Sequence, residues 1–393
     1  MILLLVFLLT LFAYSLFSKR LSGSFLTAPM MFVSVGLVYA FFLDEPISTE
    51  HQVSPFLQIA EIALVLLLFS DASRVDLGLL KKERSLPVRL LGPGMLLTIA
   101  LGTVGAKLIL PALDWWEAAL IGTILAPTDA SLGQVIVRSD KVPARLREAL
   151  DVEAGLNDGL SVPFLLFFIA VATVADAAGS PSLFALVGEE IGYGVLLGGG
   201  IGWLGGKLLN AATHWQSMDQ IHRPLAVVVL PVLAYLGSDH FGGSPFIAAY
   251  VAGLAAQKAF PDIRKGSVLF TDEWGESLSL GVFFLFGIVA GSPGAGLSGS
   301  VLIYGLLSLT VIRMVPVTLA LSGTGLDFRQ KAFVGWFGPR GLASIVLGLV
   351  YLEAETQLPG ESTIMAAVIG AVLLSVFLHG LTARPGAKWI SRE

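Results

Sequence analysis

The 393-residue sequence contains no cysteine and is poor in charge, with only 13% Asp, Glu, Lys and Arg. Without cysteine there is no disulfide scaffold, no thiolate chemistry and no Cys-based metal or redox site. A soluble domain averages about 25% charged residues, and half that share cannot coat a water-soluble surface of this size. The shortage excludes a soluble enzyme, a disordered chain and a nucleic-acid binder. The phosphate-binding pattern GxxxxGK[ST] is missing, so ATP is not expected to drive the protein. What the sequence has in abundance is apolar: 55% hydrophobic residues and a mean hydropathy of +0.82. The expectation is a polytopic helical membrane protein.

A segment that crosses a hydrocarbon core of about 30 Å needs about 20 apolar residues. Thirteen such spans are predicted, near 1–17, 24–43, 55–72, 87–110, 115–137, 148–175, 188–212, 222–237, 244–259, 275–291, 299–321, 331–352 and 363–382. The first is read as a retained helix, because Lys19 and Arg20 follow it, whereas a secretory signal carries its positive charge in front. Every second loop is basic. Arg74, Lys81, Lys82, Arg84 and Arg89 follow span three, Arg138, Lys141, Arg145 and Arg147 follow span five, and Arg384, Lys388 and Arg392 follow span thirteen. The intervening loops, such as 44–52, 175–182, 237–244 and 291–300, hold no Lys or Arg. The positive-inside rule then puts the N-terminus outside and the C-terminus in the cytoplasm of a cell (plasma or inner) membrane. Trp115, Trp116, Trp215 and Trp389 fall near the proposed interfaces. The organisation expected is a single transmembrane domain with no soluble domain. It comprises an N-terminal half 1–175, a linker helix 188–212 and a C-terminal half 222–383.

A charge inside a bilayer is costly, so each one is a functional candidate. Asp129 lies mid-way along span five, after Ala126-Pro127-Thr128. Pro127 removes a backbone donor and disfavours helix at the residue before it, which predicts an unwound stretch there. Such a stretch is tolerated only where it is buried or lines a cavity, and its freed carbonyls can coordinate a cation. Span six carries Glu153, Asn157 and Asp158, with Glu153 and Asn157 on one face. Asp158 is about 16 Å along the helix from Arg147, which puts it near the midplane. It is a titratable carboxylate at which a cation and a proton can compete. Asn157 is one of only two asparagines in the chain. Arg313 in span eleven and Glu153 lie at matching depths and are a plausible buried ion pair, which is scaffolding rather than a ligand set. Gly338-Pro339-Arg340-Gly341 predicts a second broken helix in span twelve. Interrupted helices in matching places of two inverted halves are a pointer to a transporter binding site. Asp129 is suited to offset positive half-helix ends there and Arg340 negative ones. Asp71 sits at the inner end of span three, either inside the helix or at the interface. The glycines of span seven, Gly198 and Gly202 among them, read as close helix packing. His379 is read as a structural histidine, with pH sensing the less favoured alternative.

These residues together resemble the NhaP-like sodium/proton exchangers, a family of monovalent cation:proton antiporters. The resemblance covers nearly the whole chain. It rests on APTDA at 126–130, the ExxxND pattern of Glu153–Asp158, IRMVPV around Arg313, GWFGPRG at 335–341 and HGLT at 379–382. It implies an all-α fold of two inverted repeats with crossing broken helices, and a homodimer in the lipid bilayer. It implies that Asp158 alternately binds a monovalent cation or protons, with the Thr128 carbonyl as a ligand. Asp129 would hydrogen-bond Asn157, and Glu153 would pair with Arg313. In electrogenic relatives an Asp stands in place of Asn157, so electroneutral exchange is expected. The sequence departs from the family pattern at Ala130, usually Pro, and at Ala154, usually a Ser whose hydroxyl helps to bind the ion. Asp71 or Ser70 is the candidate replacement oxygen. The expected function is thus exchange of Na⁺, K⁺ or Li⁺ for H⁺, serving pH homeostasis, with no cofactor, no ATP, no nucleic acid and no enzymatic step. The competing readings are a cation channel, disfavoured because no TVGYG-like filter occurs, and an intramembrane aspartyl enzyme using Asp129 and Asp158, disfavoured because no GxGD motif occurs. A symporter with Arg340 at an anionic solute is a third.

Overall fold

A computed structural model describes residues 2–21, 25–43, 49–75, 85–129, 132, 136, 139, 141–174, 183–266 and 268–391. Among them there is helix but no strand. In chain order the helices are α1 (Ile2–Leu21), α2 (Ala28–Ala40), α3 (Thr49–Arg74), α4 (Ser85–Ile109), α5 (Trp115–Ile124), α6 (Ala144–Val174), α7 (Leu183–His214), α8 (Arg223–His240), α9 (Pro245–Ala259), α10 (Leu269–Gly291), α11 (Gly299–Leu309), α12 (Val311–Ala320), α13 (Phe328–Trp336), α14 (Leu342–Glu353) and α15 (Glu361–Ile390). A helix, or a pair of short helices separated by a break, overlies each of the thirteen apolar segments. Among the described residues, seven helices are long and apolar enough to cross a membrane by length and composition, counting α11 with α12 as one. The protein is therefore an all-helical, multi-pass membrane chain.

Local chemistry sets the helix ends. Asp114 and Asp327 each form a capping box, with Glu117 and Gln330 answering from the third helical position. Ser244 caps α9 ahead of Pro245, and Ser298 caps α11. Pro93 cannot donate, and the turn around it, Leu90–Gly94, relaxes into a π-bulge within α4. Lys107 donates to the Leu113 and Pro111 carbonyls just past the end of α4. Span eleven holds a break that its sequence did not signal. Thr310 leaves helical geometry at φ −108°, ψ −95° and divides α11 from α12.

The chain divides into two compact units. The first comprises Met1–Gln58, Ser85–Ala154 and Ser279–Glu393. Its core includes Leu146, Leu150, Val317, Phe333, Phe337 and Ala383. Gly102 lets α4 approach α5, since a Cβ there would stand 3.0 Å from the Gly122 Cα. The second unit comprises Ile59–Arg84 and Gly155–Leu278. Here α7 lies directly on α9. A Cβ at Gly198 would stand 2.7 Å from the Ala248 Cα, one at Gly202 2.6 Å from the Ala252 Cα, and one at Gly206 2.8 Å from the Ala259 Cβ. The glycine-dense stretch is a packing seam, as expected.

Candidate functional site

In the first unit, α5 ends at Ile124, and the chain leaves helical geometry through Leu125 to Asp129. The first residues described beyond it, Leu132 and Ile136, are helical again. α13 ends at Trp336, residues 337–341 are not helical, and α14 starts at Leu342. The two breaks meet. The Asp129 backbone N–H donates to the Pro339 carbonyl at 2.8 Å.

Each break then supplies what the other lacks. A helix end leaves unpaired N–H groups on one side and unpaired carbonyls on the other. The Asp129 carboxylate accepts from the Leu342 N–H at 2.5 Å, at the start of α14, and from the Leu132 N–H at 3.4 Å. Arg340 Nη1 donates to the Ala126 carbonyl at 2.9 Å and the Pro127 carbonyl at 3.0 Å, beyond the end of α5. The acid thus stands at positive helix ends and the base at a negative one, as the dipoles favour. Arg340 is fully buried, so it does not snorkel to a headgroup region. Thr128 and Asp129 are buried as well.

The two glycines that flank Pro339 and Arg340 are steric requirements. A Cβ on Gly341 would collide with the Asp129 carboxylate, and one on Gly338 would lie 2.5 Å from Arg313 Nε. Arg313 itself grips Glu153 through two contacts, Nη1–Oε1 at 2.6 Å and Nη2–Oε2 at 2.8 Å, with both side chains 2% exposed. This is a bidentate, charge-assisted pair. It lies against the second break without entering it.

In the second unit, Asp158 is half-buried and Asn157 buried on α6. Asp71 packs against α6 one turn away. A Cβ on Gly155 would lie 3.3 Å from the Asp71 Cβ, and Gly155 is three residues before Asp158. Ser70, the other candidate oxygen, is fully buried and directs its hydroxyl to Asp272 Oδ1 at 3.3 Å. The structure thus separates the two alternatives: Asp71 faces α6, and Ser70 belongs to another cluster. That cluster was not anticipated. Asp272 forms an ion pair with Arg74 at 2.8 Å, while Gln257 Nε2 caps α3 by donating to the Ser73 and Val75 carbonyls at 2.8 and 2.7 Å. Asp272 escaped notice because span ten was predicted to start at 275, and α10 starts at Leu269. The only signal available was the acidic cluster Asp272, Glu273 and Glu276 ahead of an apolar run, which is common. Glu61 accepts from the Tyr235 hydroxyl at 2.8 Å.

Residues 4–389 match the family described as sodium/hydrogen exchanger, transmembrane. The chain belongs to this family. It is 25% identical over 337 residues to the K(+)/H(+) antiporter NhaP2 of Shewanella sp. (strain ANA-3), covering 84% of this chain and 57% of that protein. It is 25% identical over 321 residues to a Na(+)/H(+) antiporter of Schizosaccharomyces pombe, covering 72% and 67%. This exchanger-family chain thus spans little more than half the length of its NhaP2 relative. The solved structure of the sodium proton antiporter MjNhaP1 from Methanocaldococcus jannaschii at pH 8 shares the fold, with a TM-score of 0.78 over 100% of this chain and 98% of that one, at 20% identity.

Proposed function

We propose that the protein is a secondary active antiporter that exchanges a monovalent cation, Na⁺, K⁺ or Li⁺, for protons by alternating access. The observation that carries this reading is the reciprocally capped pair of broken helices, buried in an apolar chain of the exchanger family. Fixed helix breaks with their dipole ends already answered are an economical way to expose carbonyls to a cation inside a bilayer.

In this reading Asp158 is the exchanging carboxylate, Asn157 its neutral neighbour, the Thr128 carbonyl a ligand and Asp71 the oxygen that replaces the family serine at Ala154. Asp129 and Arg340 hold the break, while Glu153 and Arg313 are scaffold. A bound cation or a proton neutralises Asp158, and either form crosses the apolar barrier. The empty, ionised carboxylate does not, because of its desolvation cost. That difference couples the two fluxes. With one titrating carboxylate, the exchange is electroneutral. The assembly proposed has thirteen spans in two inverted repeats, an outer N-terminus and a cytoplasmic C-terminus, with two copies in a cell membrane.

Proteoliposomes loaded with a pH-sensitive dye test this. A Na⁺, K⁺ or Li⁺ gradient should drive proton movement, and Asp158→Asn should abolish it. Proton movement that persists in Asp158→Asn, or is absent from the unsubstituted protein with every cation, refutes the reading. Unitary conductance would favour a channel instead.

A further inference from the structure

The second unit holds a buried tyrosine beside Asp158 that this exchange scheme leaves unused. Tyr250, on α9, is 6% exposed. A Cβ on Gly159 would lie 4.0 Å from the Tyr250 Cβ, and Gly159 directly follows Asp158. Three helices meet here with a glycine at each seam. Gly155 of α6 receives Asp71 of α3, and Gly159 of α6 receives Tyr250 of α9. A Cβ on Gly253 of α9 would lie 2.5 Å from the Phe69 carbonyl oxygen of α3, and the Ser73 hydroxyl donates to the Gly253 carbonyl at 3.4 Å.

The order of these contacts fixes the directions of the helices. Gly253 meets Phe69 and Ala72, and one turn later Gln257 meets Ser73 and Val75, so α3 and α9 run the same way. Tyr250 lies a turn before Gly253 on α9, yet its partner Gly159 lies a turn after Gly155 on α6. α6 therefore runs against both. Side chains on a helix lean towards its own N-terminus. Asp71 and Asp158 thus lean towards each other, while Tyr250 leans away from them, over the C-terminal half of α6. Burial follows the same order. Asp158 is half-buried, whereas Gly159, Val162 and Pro163 are buried. Pro163 has no N–H to give to the Gly159 carbonyl, so the turn that faces Tyr250 is one helical hydrogen bond short.

We propose that the Tyr250 ring, set against the Gly159–Pro163 turn, seals Asp158 from the C-terminal side of α6 and so keeps the proton and cation fluxes coupled. In the orientation proposed above, this is the outer side. The proposal rests on the reading of Asp158 as the exchanging carboxylate. An ionised Asp158 must shed its water to pass the ring, whereas one neutralised by a cation or a proton passes at lower cost. Without the ring, water reaches the carboxylate from both sides and the empty form returns unaided.

The test uses the full chain in dye-loaded proteoliposomes. Exchange is driven by a Na⁺, K⁺ or Li⁺ gradient. Leak is driven by a pH jump in choline buffer, with the lipophilic anion tetraphenylborate balancing charge. Tyr250→Ala should raise the leak at least about tenfold, because it removes the step at which an ionised carboxylate is dehydrated. Tyr250→Phe keeps the ring and should hold both leak and exchange within about twofold of the unsubstituted protein, since only the hydroxyl is lost. The leak should disappear when Asp158→Asn is added to Tyr250→Ala, whereas a hole made by poor packing would persist. A tight, coupled Tyr250→Ala overturns the proposal. So does a leak in Tyr250→Phe equal to that in Tyr250→Ala, or one that survives Asp158→Asn. Should Tyr250→Ala not fold, Tyr250→Leu decides, with a leak that depends on Asp158 expected and its absence overturning the proposal. Asp158→Asn alone separates the two levels. If it still exchanges, the site reading has failed; if it is silent while Tyr250→Ala stays tight, only the barrier role has failed.

Discussion

Glu153 and Arg313 illustrate what a buried charge requires. Two opposed contacts at 2.6 and 2.8 Å satisfy the carboxylate and two of the guanidinium nitrogens. Removing one partner strands the other, a loss of about 3–5 kcal/mol, whereas replacing both with apolar groups of similar volume is close to neutral. Arg313→Met or Glu153→Leu alone should therefore lower the melting temperature of the purified protein sharply, and the double substitution should recover most of it. A double-mutant cycle by thermal unfolding checks this, and additive losses would show that the pair is not coupled. The glycines follow the same logic in steric form. Gly341→Ala drives a methyl into the Asp129 carboxylate and should abolish exchange, while Gly200→Ala, on α7 with open space around it, should leave exchange and stability unchanged.

At the scale of the helix, the broken pair is a problem of unpaired backbone groups solved by side chains from the opposite break. Asp129 serves two N–H groups, so Asp129→Ala uncaps both, at about 0.5–2 kcal/mol for each cap and more where water is excluded. We expect Asp129→Ala to stop exchange and to lower thermal stability. Asp129→Asn, which keeps one acceptor oxygen, should regain part of the stability and little of the exchange. Prolines announced both of these breaks in the sequence, because a missing donor is a local property. The break at Thr310 was not announced. It has no proline at its centre.

For the whole molecule, the loop charges carry the topology. The absence of cysteine makes it directly testable, because any introduced thiol is the sole reactive one. Lys141→Cys should react with an impermeant maleimide only from the cytoplasmic side, and Asp239→Cys and Gly294→Cys only from outside. The reverse pattern, or all three on one side, would refute the orientation proposed. Stoichiometry belongs to this scale too. Asn157→Asp adds a second titratable carboxylate beside Asp158, so exchange should become sensitive to membrane potential. Rates that stay independent of an imposed potential would contradict the electroneutral reading.

Composition, hydrophobic run length and proline position are properties of short windows. These by themselves determined an all-helical membrane chain, the placement of its apolar segments and the two principal breaks. They also gave the short set of buried charges, because a costly residue in an apolar run stands out wherever the chain folds. Tertiary structure decided who meets whom. It joined Asp129 to Leu342 across more than two hundred residues, set Arg340 on Ala126 and Pro127, parted Asp71 from Ser70, and gave His379 a partner at each nitrogen. Those contacts are long in sequence and short in space. A burial cost can be read one residue at a time, but the groups that offset it become known only when the backbone brings them within hydrogen-bond reach.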